Sequence, residues 1–200
     1  LANLFWAGNW VAGRALRDAF DPITLNFWRW LVAVLVLAPF AMPRLRGKFT
    51  TIRRHAGLLA LLALTGVAVF QSLIYLGLRT TTAINAVLLN SSAPLFMMFC
   101  SWAIERERAT RWQIAGMLLS LVGVLVIVSR AELDILLQLK FQAGDVWILM
   151  AMPFWGIYSV LLKRCPPELG GVSMLFVISV AGLALLAPAF ALEALHTPPR

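Results

Sequence analysis

The chain has 200 residues, of which 61% are apolar and 13% charged. Soluble domains run nearer half apolar and a quarter charged, so a water-soluble globule is excluded. The net charge of +8 does not mark a nucleic-acid binder, because the basic residues sit in short loops between apolar stretches, where insertion bias places them.

Taken in chain order, the apolar runs predict spans at residues 2–20, 23–42, 57–78, 83–104, 112–129, 146–163 and 172–192. Each approaches the ~17–25 residues that a helix needs to cross hydrocarbon. The alternating ten-residue pattern of a membrane barrel is absent from the sequence. The expected fold class is an all-α integral membrane protein of about seven transmembrane helices.

Charge sets the expected orientation. Arg44, Arg46, Lys48, Arg53 and Arg54 fill one loop; Arg106, Arg108 and Arg111 fill another, and Lys163 and Arg164 a third. The positive-inside rule makes these loops cytoplasmic and puts the N-terminus on the same side, in a multi-pass protein of the cell (inner) membrane. Cys100 and Cys165 then fall at the cytoplasmic ends of their spans as reduced thiols. Trp28 and Trp30 lie nearer the outer side, as expected of belt anchors.

Prolines punctuate the spans. Pro22 opens the second, Pro39 lies near its inner end, Pro94 is close to the middle of the fourth, and Pro153 and Pro188 fall in the last two. Each frees a backbone carbonyl and bends the axis. The fifth span carries Gly116, Ser120 and Gly123 on one face, a small-residue ridge that admits a close helix neighbour within the protomer or in a homodimer.

The chain also repeats itself at an offset of 149 residues. Phe5-Trp6 returns as Phe154-Trp155 and Leu37-Ala38-Pro39 as Leu186-Ala187-Pro188; Val11 matches Val160 and Phe27 matches Phe176. Residues 1–130 read as a first five-span unit and 145–200 as the start of a second, with 129–144 as connector. An odd number of spans per unit forces the second to enter the membrane inverted, the plan of alternating-access transporters. A complete second unit would need three more spans, for ten in all.

The motif set resembles a known family. It comprises Phe5-Trp6-Ala7-Gly8-Asn9, Phe27-Trp28-Arg29-Trp30, Tyr75-Leu76-Gly77-Leu78, and Thr82-Ala83 through Asn85-Ala86. The junction Glu105-Arg106-Glu107-Arg108 then leads to Trp112-Gln113-Ile114-Ala115-Gly116 and Leu121-Val122-Gly123-Val124. Together these resemble the EamA family of the drug/metabolite transporter superfamily. The resemblance implies a ten-helix, two-repeat secondary transporter, often an exporter of amino acids or related metabolites.

Polar groups at membrane depth are costly and mark pathways. Asn9, Arg29, Gln71, Tyr75, Asn90, Trp155 and Tyr158 are the candidate substrate-binding residues, expected to line one midplane cavity. Ser91 and Ser92 share that depth, as packing glue or cavity lining. Arg29 has three readings: snorkelling outward, clamping freed carbonyls, or meeting a substrate carboxylate. All nine acidic residues fall in loops or at helix ends, so no proton-relay carboxylate is expected in a span. No phosphate-cradling glycine loop, metal spacing or nucleophile–base pair occurs at depth, so neither a cofactor nor an enzyme is expected. The expected partners are the lipid bilayer and a small-molecule substrate. The alternatives are a non-transporting sensor or assembly protein on the same fold, or a transporter of other drug-like solutes.

Overall fold

The computed structural model describes residues 2–16, 19–129 and 140–196, and these form helices without strands. Helix α1 spans Ala2–Ala15, α2 Pro22–Leu45, α3 Phe49–Arg54 and α4 Ala56–Thr80. Then follow α5 (Ala83–Asn90), α6 (Ala93–Glu105), α7 (Arg111–Ser129), α8 (Ala143–Leu162) and α9 (Gly171–His196).

Among the described residues, five segments are long and apolar enough to cross a bilayer: α2, α4, the α5–α6 pair over Ile84–Glu105, α8 and α9. The other two expected spans are apolar helices of lesser length. The first stops at Ala15 instead of running to residue 20, and α7 contributes an apolar stretch over Arg111–Ile127. The expected fourth span breaks in two. Pro94 occupies the first turn of α6, where a missing N–H costs nothing. The hydroxyls of Ser91 and Ser92 turn back on the carbonyls of Leu88 and Leu89, at 2.5 and 2.6 Å. These serines close the break locally and do not bridge helices.

Helix α4 is the central post. Its middle, Ala63–Val69, widens into a π-helix. Its second half packs against α8 and α1, and its π segment against α9. Helix α9 lies antiparallel along α2. Thr24 meets Glu193 and, three residues further along α2, Phe27 stacks on Phe190 with ring centroids 4.3 Å apart. Two apolar cores result. One joins Leu59, Leu62, Val67, Leu161 and Ile178; the other joins Phe70, Ile74, Tyr75, Ile148 and Met152.

The three basic loops gather at one end. Arg164 Nε donates to Glu105 at 2.6 Å, Lys163 pairs with Glu107 at 3.4 Å, and Lys48 Nζ donates to the Glu168 carbonyl at 2.5 Å. At the opposite end Arg79 pairs with Asp21, and Arg14 donates to the Thr81 carbonyl at 2.5 Å.

Both thiols are free. Cys165 lies at the basic end as expected, but Cys100 faces inward. Its Sγ is 3.8 Å from the Pro153 carbonyl, covered by α8. Trp30 also departs from expectation: it packs against the first core, whereas Trp28 stays half exposed.

Candidate functional site

Gln71 and Tyr75 stand one turn apart on the buried face of α4. That turn follows directly on the π segment, and such wide turns commonly mark functional positions. The Tyr75 hydroxyl donates to Asn9 Oδ1 at 2.9 Å, tying α4 to α1. Gly13 permits the approach, since a Cβ there would lie 2.7 Å from the Tyr75 ring. Gln71 and Arg29 lie beside the same hydroxyl.

Arg29 sits seven residues into α2, about 10 Å from its start at 1.5 Å per residue. Its guanidinium rests 4.5 Å from the centre of the Trp30 ring, a cation–π contact. It does not snorkel: Nε and one terminal nitrogen are buried and lack a hydrogen-bond partner. Trp30 Nε1 and Gln71 Nε2 are buried and unpaired in the same way. The structure therefore brings Asn9, Arg29, Gln71 and Tyr75 together at the junction of α1, α2 and α4.

The remaining candidates lie on α5 and α8. Trp155 stacks on Tyr158 with centroids 5.4 Å apart and meets Phe70 at 4.8 Å, forming an aromatic wall between α4 and α8. Tyr158 lies over Gly66 of the π segment, where a Cβ would come within 2.4 Å of its ring. Phe70 joins this wall to the core that contains Tyr75. Asn90 is half-buried at the α5–α6 break.

Sequence reasoning missed two polar residues. Asn26 is fully buried; its Nδ2 donates to the Val67 carbonyl in the π segment and to Ser72 Oγ, both at 3.0 Å. It lies three residues before Arg29, on the same helix face, and that spacing was the available signal. Asp145 was read as a loop-end charge but is 1% exposed. It accepts from the Thr81 hydroxyl, from Asn85 Nδ2 at 2.7 Å and from the Gln142 N–H at 2.8 Å. This network fastens α4, α5 and α8 at the end away from the basic loops.

The fold and these buried polar groups define a multi-pass α-helical membrane protein. The model of the EamA-like transporter family matches residues 1–129. The chain belongs to that family. It is 31% identical over 161 residues to a protein of Archaeoglobus fulgidus named an uncharacterized transporter, covering 80% of this chain and 54% of that one. It is 25% identical to the uncharacterized transporter YyaM of Bacillus subtilis, over 72% of this chain and 48% of YyaM. A WAT1-related protein of Arabidopsis thaliana is 28% identical over 62% of this chain and 37% of its own length. The chain thus spans about half the length of the Archaeoglobus fulgidus and Bacillus subtilis relatives. No solved structure matches it.

Proposed function

We propose that this chain forms the greater part of a secondary transporter that moves amino acids or related small metabolites outward by alternating access. The observation that carries the reading is the cluster of Asn9, Arg29, Gln71 and Tyr75, held between three helices well inside the bundle. Polar groups at that depth are retained where a polar solute passes. The aromatic wall of Phe70, Trp155 and Tyr158 offers stacking surface beside it. Family membership and relatives named as transporters support the same reading. A sensor or assembly protein would be served by a midplane whose polar groups are all paired; the unpaired Arg29, Trp30 and Gln71 nitrogens favour transport.

The second five-span unit is proposed to begin at residue 145 and to complete a ten-helix body in the full-length protein. The end that gathers the basic loops faces the cytoplasm, with the N-terminus on that side and the protein in the inner membrane of the cell. The ridge of Gly116, Ser120 and Gly123 faces away from the rest of the chain, with open space beside both glycines, and it suits a homodimer contact.

Inside-out vesicles carrying the full-length protein test the proposal. Accumulation of radiolabelled amino acids should fall severalfold in Tyr75→Ala and Asn9→Ala, with membrane insertion unchanged. Wild-type rates in both variants would overturn it.

A further inference from the structure

Around Arg29, buried donors without partners outnumber buried acceptors without partners. Arg29 Nε, one Arg29 terminal nitrogen, Trp30 Nε1 and Gln71 Nε2 are all donors, all buried, and all without an acceptor. Buried donors without partners are uncommon, and each calls for an explanation. Acceptors nearby are fewer: Asn9 Oδ1 is taken by Tyr75, the Tyr75 hydroxyl lies beside both Arg29 and Gln71, and Asn26 Oδ1, one turn back on α2, is itself buried and unpaired.

A clamp on freed carbonyls does not account for Arg29, because its Nε and one terminal nitrogen have no acceptor, backbone carbonyls included. An internal counter-ion does not account for it either. Among the described residues, Asp21 pairs with Arg79, Glu105 with Arg164 and Glu107 with Lys163. Asp145 and Glu193 accept from Thr81, Asn85 and Thr24. A guanidinium buried in a low-dielectric interior without an anion is costly.

We infer that Arg29, with Trp30 and Gln71 beside it, is the receptor for a single carboxylate group on the transported solute. The inference rests on the transporter reading and names the chemistry its site takes. The guanidinium fork matches a carboxylate in the plane, two N–H groups to two oxygens. Among the described residues Arg29 is the one cation far from a helix end, so the site suits a monoanion better than a phosphate dianion. The ring that stacks with the cation and the adjoining wall of Phe70 and Trp155 suit an apolar or aromatic body on the same solute.

Three probes that share one ring separate the charge from the body: phenylacetate, phenylacetamide and phenethylamine. Binding to the purified full-length protein is followed by calorimetry. Phenylacetate should bind at least about tenfold tighter than phenylacetamide, as expected for charge-assisted bonds, and phenethylamine weakest. Arg29→Gln should erase the difference between acid and amide. Trp30→Phe keeps an aromatic ring at the position and removes the indole N–H, so it should weaken phenylacetate severalfold and leave phenylacetamide unchanged. This variant carries the test if Arg29→Gln does not fold. The inference is overturned if phenylacetate fails to bind, if acid and amide bind equally, or if either variant leaves phenylacetate binding unchanged. Efflux of neutral or cationic solutes by a protein with no carboxylate preference would overturn this assignment while leaving the transporter reading in place.

Discussion

Glycine 144 sits where α8 crosses the end of α4, and adding one methyl group there has a calculable effect. A Cβ on Gly144 would stand 2.3 Å from the Gly77 carbonyl oxygen, 2.6 Å from the Thr81 nitrogen and 2.8 Å from Thr80 Oγ1. Two of these are backbone atoms of another helix, so no rotamer change relieves them. The helices must separate by roughly 1 Å to restore ordinary contact, and Gly77 meets Ile148 and Gly144 just as closely from its side. Separation also stretches the neighbouring bonds to Asp145. Overpacking of this kind costs about 1–3 kcal/mol, and the backbone clash puts Gly144→Ala at the upper end. For a protein of this size that lowers the melting midpoint by roughly 5–10 °C. Gly57→Ala is the control, since no atom outside its own helix lies within 4 Å and alanine is the better helix former by up to ~1 kcal/mol. Thermal unfolding of both variants in detergent, followed by circular dichroism, reads the contrast. A Gly144→Ala midpoint at or above that of Gly57→Ala would refute the close crossing of α4 and α8.

Other perturbations have equally definite outcomes. Asp145→Ala leaves the Thr81 hydroxyl, the Asn85 amide and the Gln142 N–H without their acceptor. At about 1–3 kcal/mol for each unpaired buried group, the folded yield in detergent should drop sharply, and Asp145→Asn should recover part of it. Lys163→Gln removes an ion pair whose side chains are 62% and 61% exposed; the melting midpoint should stay within about 1 °C, because such pairs are worth little. Burial pushes the Cys165 thiol above its ordinary value, so the protonated form persists to higher pH. Maleimide labelling of Cys165 should therefore be slow at pH 7.5 and should accelerate only above the ordinary thiol range. A rate at pH 7.5 equal to that of a free thiol in solution would contradict the burial.

Membrane depth was legible in the sequence because hydropathy and helical rise are one-dimensional. The α2, α4, α8 and α9 spans fall within a few residues of their expected bounds. Azimuth is different, because it depends on which helix packs against which. Gln71 and Tyr75 could be placed on one face from their spacing alone, and the structure puts them there. Trp155 and Tyr158 matched them in depth, and they lie on the α8 side of α4, where Trp155 stacks on Tyr158 and meets Phe70. Asp145 looked solvated because it follows a polar connector; its burial arises from the α4–α8 crossing, which requires two glycines from distant parts of the chain. The π segment Ala63–Val69 has no composition signal either. Its extra residue per turn is held by tertiary partners, among them Asn26 from α2.

The contact between α2 and α9 bears on how such a chain could alternate between states. Under the repeat proposed above, at an offset of 149 residues, these two helices would be equivalents, with Phe27 corresponding to Phe176 and Ala41 to Phe190. The observed stack of Phe27 on Phe190 thus has a counterpart in register at Ala41 and Phe176, and Ala41 is fully buried. An antiparallel pair of equivalent helices exchanges its ends under a two-fold rotation in the membrane plane. Inverted repeats use that two-fold relation to make the inward-open and outward-open forms near-equivalents of each other. Arg29 lies on α2 one turn beyond Asn26, which donates to Val67 in the π segment of α4. A rocking of the α2–α9 pair against α4 would therefore move the guanidinium relative to Gln71 and Tyr75. A carboxylate bridging those donors would bind the two bodies together and couple occupancy of the site to their relative position.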